Sequence, residues 1–467
     1  MGEILKSLLV PHPPIMVPEV GGKEVEKVKN TVEALRQLEG ELKLLNPDTL
    51  IIITSHGAVF RDGLAVTTVP KLYGDLSQFN APEVSLNFKN NLELAEKIIG
   101  KASNAGITTL SMDEKTAGEY GVTTKLDHGI MAPIYYLARH LPEMKLLPIS
   151  MGMLSYLELY RFGMVVAEAV RESGSRAVFA ASGDMSHRLH HDAPAGFNPR
   201  GKEFDDAIVE GIKEFNVSRL LNLPSDLVEA AGECGLRPLN ILLGTLDGFK
   251  VETKVLSYEG PFGVGYLVAD FKPGIFSDNY KRYEKLLEEK NKHLDAEKLK
   301  ETIPVRLARK TLESFVKEGK IPEFEDYAAE LRIKAGAFVS LKKEGQLRGC
   351  IGTTEPTKQD LGHEIMQNAI SAGTRDPRFN PVTEDELPYL KYSVDVLKPA
   401  ERINSMEELE PKRYGVIVRS GGKSGLLLPD LEGVDTVEEQ VAIAKQKAGI
   451  HEGEPFEIER FEVERFY

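Results

Sequence analysis

The sequence predicts an α/β protein: a mostly parallel sheet flanked by helices, followed by a smaller α+β unit. Three observations carry this. Through residues 1–272, short apolar runs of strand length alternate with longer amphipathic patterns, as expected where helical crossovers cover both faces of a parallel sheet. A highly charged stretch at 281–290 then interrupts the pattern. Finally, 467 residues exceed the roughly 250–300 that one hydrophobic core organises.

Taken in order, residues 4–10 read as a strand that stops at Pro11. Residues 23–45 read as a helix, because Val28, Val32, Leu35, Leu38 and Leu42 recur at steps of three and four. Asn46-Pro47-Asp48 turns the chain, and 50–54 is a second, wholly apolar strand. The amphipathic stretch 156–172 leads into a third strand at 177–181. Lys272-Pro273-Gly274 is expected to break this unit, and 281–290 to form a solvated connecting helix. Beyond it come a helix at 305–318, a strand at 336–341 and further strands at 392–397, 414–419, 425–428 and 456–466. The expected organisation is 1–272, a charged helical linker 273–296, and 297–467.

Composition narrows the function classes. Asp and Glu number 72 against 58 Lys and Arg, a formal charge of −14 with no strong basic block, so nucleic acid is not an expected partner. The apolar run Leu8-Leu9-Val10 ends at Pro11, and nothing approaches the roughly 20 apolar residues of a membrane span. Cys234 and Cys350 stand in separate halves of the chain, which fits neither a disulfide framework nor a CxxC zinc site. A cytoplasmic protein acting on a small molecule is the expectation. The oligomeric state, a homo-oligomer included, is left open.

Four features fall at strand ends or turns: Pro11-His12-Pro13-Pro14, Thr54-Ser55-His56-Gly57, Ser182-Gly183-Asp184-Met185-Ser186-His187 and Gly232-Glu233-Cys234-Gly235. Ligands of open α/β sheets bind beyond the carboxyl ends of strands, so His12, His56 and an acid or thiol can converge there. Two imidazoles and one carboxylate on one face of ferrous iron leave positions open for a chelating substrate and dioxygen. A further histidine can move protons. His187 is the first candidate, with Asp184 in the same turn to orient it or a ligand. His128, in Leu126-Asp127-His128-Gly129, is the second. His190 and His191 read as loop residues.

These motifs, with Val10 before the first, resemble the class III extradiol ring-cleavage dioxygenases of the LigB type and the Memo proteins that share their fold. The resemblance covers residues 1–272. It implies His12 and His56 as iron ligands, His187 and His128 as catalytic residues beside the metal, and an aromatic diol as the substrate class. At the third ligand the chain departs from the pattern. The dioxygenases use a glutamate in this turn, and Memo relatives a cysteine. Here Glu233 and Cys234 are adjacent, and Cys234-Gly235-Leu236-Arg237-Pro238 is Memo-like. A thiolate would suit zinc or copper as well as iron.

Residues 297–467 resemble the AMMECR family through Leu347-Arg348-Gly349-Cys350-Ile351-Gly352, then Ala372-Gly373-Thr374-Arg375-Asp376-Pro377-Arg378-Phe379 and Tyr392-Ser393-Val394-Asp395-Val396-Leu397. The resemblance implies a grouping with Memo-like and radical-SAM proteins, called AmmeMemoRadiSam, and hence a radical-SAM partner. From the residues, Gly349 and Gly352 would let a backbone or ligand approach. Arg348, Arg375 and Arg378 could receive an anion, and Cys350 beside them could be a nucleophile of depressed pKa. Equally, Cys350 could be a core residue and the arginines paired with acids such as Asp376 or Glu355. The function expected first is a non-heme iron oxidoreductase. Its rivals are a metal-binding protein acting in an assembly and a metal-dependent hydrolase.

Overall fold

The computed structural model describes residues 1–467 apart from positions 142, 324–328, 344–345, 385 and 432. It divides into two compact units, 1–289 and 290–467.

Among the described residues, the first unit is built on ten strands: Glu3–Val10 (β1), Thr49–Thr54 (β2), Leu64–Thr67 (β3), Lys71–Leu76 (β4), Ala81–Lys89 (β5), Thr109–Met112 (β6), Lys145–Ser150 (β7), Arg176–Ser182 (β8), Phe249–Glu259 (β9) and Tyr266–Phe276 (β10). Eight form one sheet in the order β6-β3-β7-β2-β8-β1-β10-β9, while β4 and β5 form a separate hairpin. Pairing is parallel from β7 through β2 and β8 to β1 and antiparallel from β1 to β10 and β9. Every residue of β2 is buried, as in a central strand covered on both faces.

Alternation along the strands sorts their side chains into two cores. Leu9, Ile51, Ile53, Phe179 and Ala181 pack with the helices Tyr156–Ser173 and Leu236–Thr245. Leu8, Val10, Leu50, Ile52 and Ala180 pack with Lys29–Leu45 and His128–Leu137. The first long helix starts at Lys29, not residue 23, because Gly22 takes a positive φ of 51° and residues Gly22–Val28 wind as a 3-10 helix. Strand β10 runs through Pro273 and Gly274 instead of stopping before them. Its pairing with β1 reaches only Phe271, and Pro273 lies on the stretch paired to β9 alone, where a missing N–H is tolerated. The charged stretch lies in the helix Tyr283–Lys298, whose one buried residue is Leu286.

The second unit has two four-stranded antiparallel sheets. Its strands are Ala337–Lys343 (β11), Gln346–Gly352 (β12), Leu390–Leu397 (β13), Glu401–Ile403 (β14), Gly415–Ser420 (β15), Lys423–Leu427 (β16), Glu457–Phe461 (β17) and Val463–Phe466 (β18). The sheet orders are β12-β11-β13-β18 and β14-β17-β15-β16. Helices Ile303–Glu318 and Leu361–Thr374 cover the first, and Val437–Ala448 the second. Among the described residues, no helix is long and apolar enough to cross a membrane.

Candidate metal centre

Topology makes the site. β8 lies between β1 and β2 and runs parallel to both, with Val10 level with Ser182 and Ile53 level with Ala181. Three carboxyl ends therefore emerge side by side, carrying His12, His56 and the 182–187 turn. His12 Nε2 and His56 Nε2 stand 2.9 Å apart. His128, the first residue of its helix, completes the group: its ring centroid is 4.1 Å from that of His56 and 5.7 Å from that of His12. One nitrogen from each of the three lies within 4.8 Å of the others.

Hydrogen bonds fix the His12 ring and the backbone of His56. His12 Nδ1 meets Ser182 Oγ at 3.0 Å, and the Ser182 hydroxyl donates its single proton to the Gly129 carbonyl. Ser182 Oγ must then accept from Nδ1–H, which leaves the Nε2 lone pair of His12 facing His56. The His56 N–H donates to Thr54 Oγ1 at 3.1 Å, and the Thr54 hydroxyl donates to Asp127 Oδ1 at 2.9 Å. Gly129 is needed beside them, since a Cβ there would lie 2.7 Å from Thr54 Oγ1 and 3.2 Å from His56 Cδ2.

Burial lowers the pKa of all four histidines around the centre. His12 falls well below its ordinary value, helped by repulsion from the other three. His128 falls to about 4, and His56 and His187 are lowered too. Neutral imidazoles are the form that binds metal. Two nitrogens each about 2.1 Å from one ion, at a right angle, stand about 3.0 Å apart, so the donors present fit a divalent transition metal. The Ser55 hydroxyl oxygen is buried beside the Cys234 thiol.

Cys234 Sγ lies 3.6 Å from His12 Nε2 and 3.7 Å from His187 Nε2. It accepts the Asp184 N–H at 3.3 Å, while the Cys234 N–H donates to the Asp184 carbonyl at 3.3 Å. That exchange depends on Gly183, where a Cβ would fall 2.3 Å from Gly235 Cα. Burial raises the thiol's pKa, so a metal would have to displace its proton. Of the two roles expected of Asp184, orienting His187 or a ligand, its contacts are those of the second: its Oδ1 accepts the His12 N–H at 3.0 Å and its Oδ2 lies 3.8 Å from His12 Nε2. Burial raises its pKa to about 7, and beside a neutral imidazole the contact is no ion pair.

Glu233, the alternative to Cys234, has a different partner. Its carboxylate accepts the Leu236 N–H at 2.6 Å and so caps the helix Leu236–Thr245. Of the adjacent candidates, the thiol turns to the histidines and the carboxylate to the unsatisfied amides of a helix start. His187 is held by its N–H to the Ala231 carbonyl at 3.0 Å. The neighbouring Ser186 N–H donates to Asp205 Oδ1 at 2.8 Å, and Tyr258 OH donates to Asp205 Oδ2 at 2.6 Å. Asp205 is fully buried, and nothing in its sequence context marks it. His191 packs on Phe197 and His190 Nδ1 accepts the Asp192 N–H, as loop residues do.

In the second unit two of the three arginines, Arg348 and Arg378, are claimed by acids. Arg348 grips Glu386 with two bonds, 3.0 and 2.7 Å, and Arg378 grips Asp376 at 2.9 and 2.7 Å. The Cys350 thiol accepts from Ser340 OH at 3.1 Å, and burial raises its pKa. Of the two readings the sequence leaves open for Cys350, this fits the core residue with paired arginines and not the nucleophile of depressed pKa. Arg375 is exposed after the helix Leu361–Thr374. Gly349 does admit a close backbone: a Cβ would lie 2.1 Å from the Ala372 carbonyl.

Comparison with known proteins follows the two units. The family model described as the catalytic LigB subunit of aromatic ring-opening dioxygenase matches residues 6–269, and the AMMECR1 model matches 305–466. A protein of Clostridium acetobutylicum is 44% identical over 460 residues, 98% of either chain. A protein of Thermotoga maritima is 53% identical over 166 residues, 35% of this chain and 95% of its own. The solved structure of an uncharacterized Pyrococcus horikoshii protein, 35% identical, covers 35% of this chain and 88% of its own with a TM-score of 0.32.

Proposed function

We propose that this chain, which belongs to the family of the catalytic LigB subunit of aromatic ring-opening dioxygenases and carries an AMMECR1 domain after it, is a non-heme iron oxidoreductase acting on a small chelating substrate such as an aromatic diol. The observation that supports it is the convergence of three neutral imidazoles, His12, His56 and His128, within 4.8 Å at the carboxyl ends of a parallel sheet. These residues would hold the Fe(2+). Ferrous iron, when bound, would relay electrons to dioxygen from the chelated diol, which is the species oxidised.

The remaining work falls to the chain. Ser182 keeps the proton of His12 on Nδ1, so the same nitrogen always faces the centre. His187 Nε2, 3.7 Å from Cys234 Sγ, is neutral and able to take a proton from a substrate hydroxyl and return it to product. Asp205 and the Ala231 carbonyl hold the backbone of its turn. The test is anaerobic purification with metal analysis, followed by oxygen uptake on catechols. Stoichiometric iron with diol-dependent uptake is expected, and iron without uptake on any diol tried would sink the oxygenase reading.

Cys234 favours a second reading, a thiolate-bearing zinc or copper site without oxygen chemistry, as a hydrolase or in an assembly with a radical-SAM partner. The thiol's nearness to His12 makes the decisive variants Cys234→Ser and Glu233→Gln. Cys234→Ser is expected to weaken metal binding and shift preference toward hard ions. Glu233→Gln should leave metal binding alone and cost less than about 1 kcal/mol of stability, since the amide oxygen can still accept the Leu236 N–H. Metal titrations and thermal melts of both variants check this, and the opposite pattern would return the ligand role to Glu233.

A further inference from the structure

At the end of the sheet away from the histidines, β1 and β10 part. Their pairing ends at Ser7 and Phe271, although β1 begins at Glu3 and β10 runs on to Phe276. Continued in register, Leu5 would come level with Pro273, which carries no N–H. The pairing of β1 with β8 also slips between Ile4 and Lys6, so Leu5 bulges out of the ladder. The parted strands and the helix Tyr156–Ser173 line a cavity of about 640 Å³, within the range of small-molecule sites. Ile4, Met164, Val165, Phe249 and Phe276 give it apolar walls, and Arg161 and Arg171 line it too. From Leu5 to Val10, where β1 reaches the histidine cluster, is about 17 Å of strand, so the cavity stands apart from the metal centre.

The charges of this cavity do not balance. Its acids are engaged: Glu168 with Lys101 at 3.0 Å, Glu3 with Arg176 at 4.0 Å, and Asp247 with the Tyr160 hydroxyl at 2.7 Å and the Arg282 N–H at 2.8 Å. Lys281 has Asp278 at 2.6 Å. Among the described residues, the guanidinium groups of Arg161 and Arg171 have no hydrogen-bond or ion-pair partner. One unpaired surface arginine marks nothing. Two beside the same apolar walls, in a chain of net charge −14, are complementary to an anion with an apolar body. We propose that this cavity binds a small organic anion, its acid group on Arg161 or Arg171 and its apolar body against Ile4, Met164, Val165 and Phe276.

The test is fluorescence titration of the full chain with anilinonaphthalene sulfonate and with its uncharged parent, N-phenylnaphthylamine, in wild type and in the double variant Arg161→Met, Arg171→Met. Wild type is expected to bind one sulfonate per chain, about tenfold tighter than the uncharged parent, the lower end of what a charge-assisted contact supplies. In the double variant that preference should vanish while the uncharged parent binds as before. Arg161→Gln with Arg171→Gln gives the same comparison if the methionine variant does not fold. No saturable binding of the sulfonate, or equal affinity for the two probes in wild type, would overturn the proposal. So would a preference that survives in both variants, since the anion would then sit elsewhere, at the metal centre included.

Discussion

His12→Ala is expected to abolish metal binding while leaving the protein folded. His12 is 2% exposed, its Nε2 lies 2.9 Å from that of His56, and its tautomer is fixed by Ser182. Losing a partner that only orients a ligand already costs about 10–100-fold in affinity, so losing the ligand should cost at least about 100-fold. His56→Ala should behave alike, and Ser182→Ala should fall in the 10–100-fold range of an orienting partner. Cavity formation at His12 makes some stability loss inevitable, so metal per folded chain is the quantity to read. The loop residue His191, replaced by alanine, serves as the control that keeps its metal. Unchanged metal stoichiometry in His12→Ala and His56→Ala, with folding intact by circular dichroism, would remove this centre.

His187→Ala should do the reverse, keeping metal and losing turnover. His187 reaches Cys234 Sγ at 3.7 Å and stands outside the three-histidine group, beside the centre and free to exchange a proton. Burial lowers its pKa, so it enters the reaction as a base. A positioned acid–base group is worth roughly 10²–10⁴-fold in rate, and that is the expected loss of kcat in oxygen uptake. Loss of metal would make His187 a ligand. Full turnover would move the proton to another group. Asp205→Asn, acting only through the turn that carries His187, should lose less.

The frame of the site was legible because its strands are. β1, β2 and β8 are short apolar runs ending in Pro11, Ser55 and Gly183, so the histidines after them could be placed at carboxyl ends before any coordinates. That β8 inserts between β1 and β2 is a fact of pairing, which no local pattern contains. The β4–β5 hairpin was not legible either. Its buried residues face only one way and polar ones fill the other positions, so it lacks the apolar density of the central strands. His128 shows the same limit at the site. Its motif marked it as important, but only the approach of Gly129 to Thr54 and His56 brings it into the metal group. Glu233 and Cys234 could not be separated by sequence, because neighbours share one environment until a helix start claims one of them. For Cys350 the sequence leaves two readings open, because Asp376 beside Arg378 is visible in it while Glu386, which pairs with Arg348, comes from 38 residues away.

The most direct test of the metal centre is anomalous diffraction from crystals of the iron-loaded full chain, with data on either side of the iron edge. The account predicts one strong peak within bonding distance of Nε2 of both His12 and His56 and of a ring nitrogen of His128, with the Cys234 sulfur next to it. A peak elsewhere, at His190 and His191 or in the second unit, or no peak beside His12 at full iron stoichiometry, would contradict it.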